Sequence, residues 1–156
     1  SEVTPVCSVD DHIIGDGKDL NRLKKMVYSN NLYEYFIFHG WKDGTDKNKI
    51  INKKVDIILI PSKIETGIPL VVYDSLKNNK KFLLSDMKSI KSYDVPNQFI
   101  IDIDNIDSII EKILYLSELT DSSDYIKFRS EIFNEHSVDN FGKQTSEVFK
   151  EILCGR

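Results

Sequence analysis

Short apolar runs alternate along this chain with amphipathic stretches, and this alternation restricts the possible folds more than any other feature. The apolar runs are predicted to be strands, and they lie at residues 12–14, 35–38, 55–60, 81–84 and 98–103. The third run is apolar everywhere except at Asp56, as expected of a strand that is covered on both faces. Strands separated by helices predict an α/β fold, a doubly wound parallel sheet with helices on both faces.

Helical spacing of apolar residues fills the intervals between these strands. Helices are predicted to begin near Asp19, after Pro69 and after an N-cap at Asp104 or Asn105, and a short helix is predicted around Ile50. A tail over about 121–154 is predicted to form further helices. Because neither a linker nor a repeat is visible, the sequence predicts a single domain over residues 1–156.

Charge and cysteine content restrict the function and the compartment. The chain has 156 residues and a formal net charge of −4, which argues against nonspecific binding to nucleic acid or to an anionic membrane. Cys7 and Cys154 lack metal-site spacing, which favours free thiols in a reducing compartment. No apolar run approaches 18 residues and no signal peptide is visible, so a cytoplasmic location is predicted.

The loops that follow the strands are the candidate binding segments, because parallel α/β sheets bind ligands beyond the carboxyl ends of their strands. Residues 62–69 are the most informative of these loops. Gly67 lets the backbone approach a ligand, and the amide groups at the start of the next helix suit a diphosphate. Asp74 could then accept hydrogen bonds from ribose hydroxyls. The alternative is a plain helix entry, with Asp74 as a solvated helix residue.

The other polar positions are weaker candidates. Gly15 and Gly17 form a Gly-x-Gly turn that lacks a third glycine, so it is weak evidence for a Rossmann site and is more simply a tight strand-to-helix turn. His39 ends a strand and is most simply explained by a structural role. Trp41 could line a base or sugar pocket, or it could pack against the next helix. His136 is expected at the surface or in a helix cap. Because the chain shows neither a metal-ligand cluster nor a nucleophile triad, metal-free binding is predicted.

Four segments in a fixed order resemble a known family. They are residues 13–17 (IIGDG), 36–41 (FIFHGW), 55–62 (VDIILIPS) and 67–76 (GIPLVVYDSL). GT-B glycosyltransferases of the group 1 (GT4) family carry IVGDG, FLGW, ADVFVLPS and EGFPLVLLEAM in this order at similar spacing. The tail from 133 to 153 is similar to the closing helices of that family. The likeness covers residues 12–154 and indicates the C-terminal, nucleotide-sugar-binding domain.

The resemblance implies a Rossmann-like C-terminal half of a GT-B fold, with the N-terminal acceptor domain absent from this chain. It implies a retaining, hexosyltransferase-type transfer from a nucleotide-diphosphate sugar, without a cofactor or metal ion, in surface-polysaccharide or glycoconjugate synthesis. The acceptor would be a glycan or a lipid-linked glycan, reached through the missing domain. The full-length protein would be cytoplasmic or associate with the inner face of the membrane, and the present fragment alone would be inactive.

The resemblance also assigns site residues by position. Asp74 would bind the ribose, Gly15 would lie near the cleft floor, and Glu65 is the candidate catalytic residue. The residues that would meet the base, the phosphates and the sugar are Gly40, Trp41, Thr66, Gly67, Ile68, Pro69 and Leu70.

Three departures from the family pattern leave alternatives open. The family pairs two glutamates eight residues apart, but Thr66 lies eight residues before Asp74, and Glu65 lies nine before it. Asp74 is also one methylene shorter than glutamate. Residues 1–11 contain no Arg or Lys, so the basic clamp for the diphosphate either lies in a missing segment or is absent. A non-catalytic partner or chaperone subunit of a glycosyltransferase is therefore the main alternative, and a receiver- or flavodoxin-like domain is a weaker one.

Overall fold

Strands and helices alternate as predicted. The computed structural model describes residues 4–5, 11–14, 16–63, 65–119, 123–135 and 137–154. In chain order the elements are β1 Thr4–Pro5, β2 Asp11–Ile14, α1 Leu20–Ser29, β3 Phe36–Gly40, α2 Gly44–Lys54, β4 Ile57–Ile60, α3 Leu70–Lys77, β5 Lys81–Ser85, β6 Ile100–Ile101, α4 Ile106–Glu118, α5 Ser123–Glu135 and α6 Val138–Cys154. Short 3₁₀ helices at Lys88–Tyr93 and Asn97–Phe99 lie between β5 and β6.

The strands form two three-stranded groups whose order is β1-β2-β3 and β4-β5-β6. Pairing is parallel between β2 and β3 and throughout β4-β5-β6, which confirms the predicted parallel sheet. The strand β1 was not predicted and pairs with β2 in the antiparallel direction. Because β1 also contacts β4, the two groups meet there, and the order of strands along the chain reverses at this point. Ligands of open α/β sheets bind beside such a reversal.

The core surrounds β4 and β5. Phe82, Leu83 and Leu84 are consecutive in β5, and each has 0% of its surface exposed. Successive side chains of a strand point to opposite faces, so both faces of the sheet are covered at this strand. Helix α3 contacts β5, and α4 contacts β4, β5 and β6. The predicted sheet flanked by helices is therefore confirmed.

The strand β6 is shorter than the predicted run at 98–103. Pro96 opens a 3₁₀ turn in which the amide of Phe99 donates to the Pro96 carbonyl at 2.9 Å. This turn places the Phe99 ring against Phe82, with 5.3 Å between the ring centroids. At the other end, the side chain of Asp102 accepts a hydrogen bond from the amide of Asp104 at 3.0 Å and turns the chain away from the sheet.

Helix α2 is longer than the short helix predicted around Ile50. It has 11 residues, of which only Ile51 is buried. Asp46 lies in its first turn, and Lys53 and Lys54 lie in its last turn. These charges complement the helix dipole and favour a helix that an apolar pattern alone does not reveal.

Helix α4 is capped at both ends by side chains. The Asn105 side chain accepts a hydrogen bond from the amide of Ser108 at 3.0 Å, which confirms one of the two predicted N-caps. At the other end, the ammonium group of Lys81 in β5 donates to the carbonyls of Leu116 and Leu119. A cation at a helix C-terminus is favoured by the dipole and by charge-assisted hydrogen bonds.

Replacing Lys81 with methionine is expected to lower the free energy of unfolding by about 2 kcal/mol, because it leaves two carbonyls without a charged donor. Chemical denaturation followed by circular dichroism measures this change. Lys91→Met is the control, because Lys91 is exposed in the 3₁₀ helix Lys88–Tyr93. Equal stability of the two variants would contradict a capping role for Lys81.

Residues 120–156 form a second compact unit, separate from the unit formed by residues 1–119. Its buried side chains on α5 are Tyr125, Phe128 and Ile132, which lie on one face of the helix. Burial raises the pKa of Tyr125 to about 12, and the nearby positive charge of Arg129 opposes that rise. Among the helices of the described residues, none has both the length and the apolar composition needed to cross a lipid bilayer.

Candidate functional site

Residues 65–70, which lead from β4 into the first residue of α3, include six of the ten predicted site residues. Ile68 and Pro69 are buried and anchor the end of this segment, whereas Thr66 and Leu70 are exposed, with 81% of the Leu70 surface accessible. The carbonyl of Pro69 accepts a hydrogen bond from the amide of Val72 at 2.9 Å and begins α3. The backbone of the segment is thus fixed at its helical end while two of its side chains point outward.

The strand end of the same segment is held by Ser85. This residue is the last of β5 and only 2% of its surface is exposed. Its hydroxyl contacts the carbonyl of Ser62, and it also lies 3.4 Å from the carbonyl of Ile60. A side chain from the neighbouring strand therefore sets the path by which the chain leaves β4.

Gly67 lies close to another group, and this group belongs to the protein. A Cβ atom at this position would lie 3.2 Å from the hydroxyl oxygen of Tyr93, which ends the 3₁₀ helix Lys88–Tyr93. The sequence interpretation assigned the same glycine to a ligand contact. The structure adds Tyr93 as a neighbour of the segment, and the sequence contained no signal for it.

Replacing Gly67 with alanine is expected to destabilise the fold by about 1 kcal/mol, because the new methyl group crowds the Tyr93 hydroxyl. The double variant Gly67→Ala with Tyr93→Phe should recover part of this loss relative to Tyr93→Phe alone. Gly142→Ala is the control, since a Cβ there meets nothing within 4 Å and alanine favours the α6 helix by about 0.5–1 kcal/mol. Thermal unfolding of Gly67→Ala, Tyr93→Phe, the double variant and Gly142→Ala measures these changes, and the first should be destabilised while the last is stabilised. A stabilised Gly67→Ala protein would contradict the close contact between residue 67 and Tyr93.

Asp74 takes part in an ion pair, which neither sequence interpretation anticipated. Its Oδ2 atom lies 2.6 Å from the ammonium nitrogen of Lys47 in the first turn of α2. The side chains are 24% and 30% exposed, respectively. Asp74 is therefore neither a free carboxylate nor a fully solvated helix residue.

A group of asparagines continues this contact between α2 and α3. The amide nitrogen of Asn52 donates to Asn78 at 2.7 Å, and the amide nitrogen of Asn78 lies 3.3 Å from the side-chain oxygen of Asn48. Asn78 also donates to the backbone carbonyl of Asp74 at 2.7 Å. Asn78 lies one helical turn beyond Asp74, and Asn48 and Asn52 lie one and five residues beyond Lys47, so these contacts hold α2 and the end of α3 together beside the ion pair.

The end of β3 presents two more of the predicted site residues. Gly40 has a φ of +66°, a left-handed conformation that favours glycine. Trp41 follows it with 61% of its surface exposed, so its ring is not packed away against the protein. His39 is half-buried in the same strand.

The structure describes some of the remaining predicted residues and not others. Glu65 is half-buried beside the exposed Thr66. Gly15, Cys7 and His136 lie outside the described residues. Within the described part of the chain, no group of three or more His, Cys, Asp or Glu side chains is arranged to hold a metal ion.

Comparisons with known proteins bear on both the fold and the family. A family model described as "Glycosyl transferases group 1" matches residues 9–131. No curated protein matches the sequence. The structure is similar to the apo form of the lipopolysaccharide outer core galactosyltransferase WaaB, with a TM-score of 0.70 and 18% identity over 90% of this chain and 40% of that chain.

The structure is also similar to sucrose-phosphate synthase from Thermosynechococcus elongatus. The TM-score is 0.67 with 13% identity, over 93% of this chain and 38% of that chain. At such identities the likeness shows the fold alone, and it confirms the predicted fold class. The chain spans 40% or less of the length of either similar protein.

Proposed function

The chain belongs to the group 1 glycosyltransferases, and on that premise we propose that it is the donor-binding domain of a retaining enzyme. Its donor is a nucleotide-diphosphate sugar, and its transfer is of the hexosyltransferase type. The product belongs to surface-polysaccharide or glycoconjugate synthesis. The 156-residue chain binds the donor but does not catalyse transfer by itself.

The observation that carries this proposal is the position of Asp74. It lies in the second turn of α3, a helix that begins at Leu70, directly after the segment that leaves the carboxyl end of β4. Because β4 borders the point where the strand order reverses, Asp74 and the helix start lie beside the expected ligand crevice. An acidic side chain behind a helix start suits a ribose next to a diphosphate.

The proposed contacts follow from this placement. The backbone amide groups from Thr66 to Leu70 meet the diphosphate and the sugar, and Asp74 accepts hydrogen bonds from ribose hydroxyls. The exposed ring of Trp41 and the backbone at Gly40 lie beside the base. By its position in the family pattern, Gly15 is proposed to lie near the floor of the cleft.

Glu65 is the proposed catalytic carboxylate. It is half-buried, whereas the neighbouring Thr66 is exposed at the position where the family carries its first glutamate. A shift of one residue in the segment between β4 and α3 brings Glu65 to the sugar.

The rest of the reaction depends on parts of a longer protein. An N-terminal domain binds a glycan or lipid-linked acceptor, and the protein acts in the cytoplasm, including at the inner face of the membrane. The reaction uses no cofactor and no metal ion. The coverage of 40% and 38% of the similar structures is consistent with a domain of this kind.

Isothermal titration with UDP, GDP and their sugars tests donor binding by the 156-residue chain. We expect one nucleotide to bind at one site with a dissociation constant between about 1 μM and 1 mM, the range of typical substrate affinities. The absence of binding by every nucleotide would contradict the proposal.

A non-catalytic partner subunit of a glycosyltransferase is the second candidate function. The exposed Thr66 at the first glutamate position favours it, since a threonine supplies no carboxylate. A protein of this kind co-purifies with an active transferase and turns over no donor itself. Donor turnover by the protein that carries this chain, lost in its Glu65→Gln variant, would exclude the second candidate.

A further inference from the structure

Lys47 and Asp74 lie together at the edge of the sheet where the donor is proposed to bind. Lys47 is in the first turn of α2, Asp74 is in the second turn of α3, and each helix follows the carboxyl end of a parallel strand. Their charged atoms are 2.6 Å apart, and both side chains remain partly accessible, at 30% and 24%. Part of each side chain is therefore open to a ligand at this edge of the sheet.

The pair retains unused hydrogen-bonding capacity. An ammonium group has three N–H donors, and a carboxylate has two acceptor oxygens. The contact between the Lys47 ammonium and Asp74 Oδ2 uses one of each. Within the described parts of the chain, neither charged group has a second side-chain partner. Donors on Lys47 and the Oδ1 atom of Asp74 therefore lie side by side.

The charge of the pair indicates the kind of ligand group that fits it. The two side chains together carry no net charge, and a carboxylate repels a phosphate group placed beside it. A vicinal diol is neutral, and each of its hydroxyls both donates and accepts. One hydroxyl can donate to the carboxylate while its neighbour accepts from the ammonium group.

We propose that Lys47 is a second ribose ligand, which recognises the ribose diol jointly with Asp74. Oδ1 of Asp74 accepts a hydrogen bond from one hydroxyl, and the ammonium group of Lys47 donates to the oxygen of the adjacent hydroxyl. The asparagine contacts of Asn48, Asn52 and Asn78 hold the helices at the spacing that this requires. The inference rests on the proposed function, because it places a nucleoside diphosphate in the crevice.

Titration calorimetry with ribose-modified nucleotides tests the role of Lys47. The probes are UDP and GDP, each beside its 2′-deoxy and 3′-deoxy form, and the proteins are the unmodified chain and its Lys47→Met variant. The unmodified chain should bind each deoxy form about tenfold more weakly than the parent nucleotide, the loss expected for one charge-assisted hydrogen bond. Lys47→Met should bind the parent nucleotide about tenfold more weakly and should no longer discriminate against one of the two deoxy forms.

Control variants separate recognition from a loss of structure. Lys49→Met removes another lysine of α2, whose partner is Asp46 and whose side chain is 69% exposed, and it should leave both affinity and discrimination unchanged. Lys47→Arg keeps a cationic donor and should restore part of the discrimination. Circular dichroism melting curves show whether each variant is folded.

The outcomes distinguish this inference from the function on which it rests. If Lys47→Met weakens the parent nucleotides and their deoxy forms by the same factor, Lys47 acts only on structure and the inference is wrong. Unchanged affinity in Lys47→Met also overturns it, while donor binding stands. If the unmodified chain binds neither nucleotide, the proposed function fails as well.

Discussion

Replacing Asp74 with alanine is expected to weaken the binding of UDP or GDP about 100-fold, because the ribose loses a charged hydrogen-bond acceptor. The same change leaves the ammonium group of Lys47, 2.6 Å from Asp74 Oδ2 in the unmodified chain, without its carboxylate partner. Calorimetric titration of the variant with the nucleotide that the unmodified chain binds measures the effect.

Two further variants make the Asp74 prediction specific. Asp74→Glu keeps the carboxylate and restores the residue of the family pattern, so its affinity should remain within about threefold of the unmodified chain. Asp46→Ala removes an exposed carboxylate of α2 that also pairs with a lysine, and it should leave binding unchanged. Equal affinity of Asp74→Ala and Asp46→Ala would show that Asp74 does not contact the donor.

Replacing Phe82 with alanine is expected to lower the free energy of unfolding by about 3–5 kcal/mol, the largest stability effect that we anticipate. Phe82 has 0% exposed surface in β5, and its ring lies 5.3 Å from that of Phe99, which is also fully buried. The truncation removes buried apolar surface and leaves a cavity in the core that supports β4. Denaturant unfolding followed by circular dichroism measures the loss.

A matched aromatic residue and a double variant control this prediction. Tyr35→Ala, at a position 57% exposed, should change stability by no more than about 0.5 kcal/mol. Phe82→Ala and Phe99→Ala should combine non-additively, because contacting aromatic rings share an interaction of about 0.5–1.5 kcal/mol. A Phe82→Ala protein as stable as Tyr35→Ala would contradict the assigned core.

The parts of the fold that the sequence predicts are those governed by local signals. Apolar runs predict β4 and β5, and the Asn105 cap together with helical spacing predicts the start of α4. The 3₁₀ helix Lys88–Tyr93 is not predicted, because only Ile90 is buried in it and no repeating apolar pattern marks it. The sequence overestimates the length of β6, because the apolar residue Phe99 packs against Phe82 and does not pair with a neighbouring strand.

The candidate site is predictable in its position but not in its contacts. The order of the strands directs attention to the segment between β4 and α3, and Asp74 is distinguished by its charge in the helix that follows this segment. Its partner Lys47 is one of 18 lysines and lies 27 residues away, so nothing in the sequence distinguishes it. Tyr93 and Ser85 reach the segment from later elements in the same way, because folding brings distant residues together.

We propose that a nucleoside diphosphate binds beyond the carboxyl ends of the parallel strands, beside the reversal of strand order where β1 meets β4. A ¹H–¹⁵N correlation spectrum of the labelled chain, recorded during titration with UDP and with GDP, tests the location of binding directly. We expect one nucleotide to shift the amide signals of Gly40, Gly67 and Leu70 in a saturable way, while the signals of α5 and α6 stay in place. Shifts confined to α5 and α6, or no shifts with either nucleotide, would contradict it.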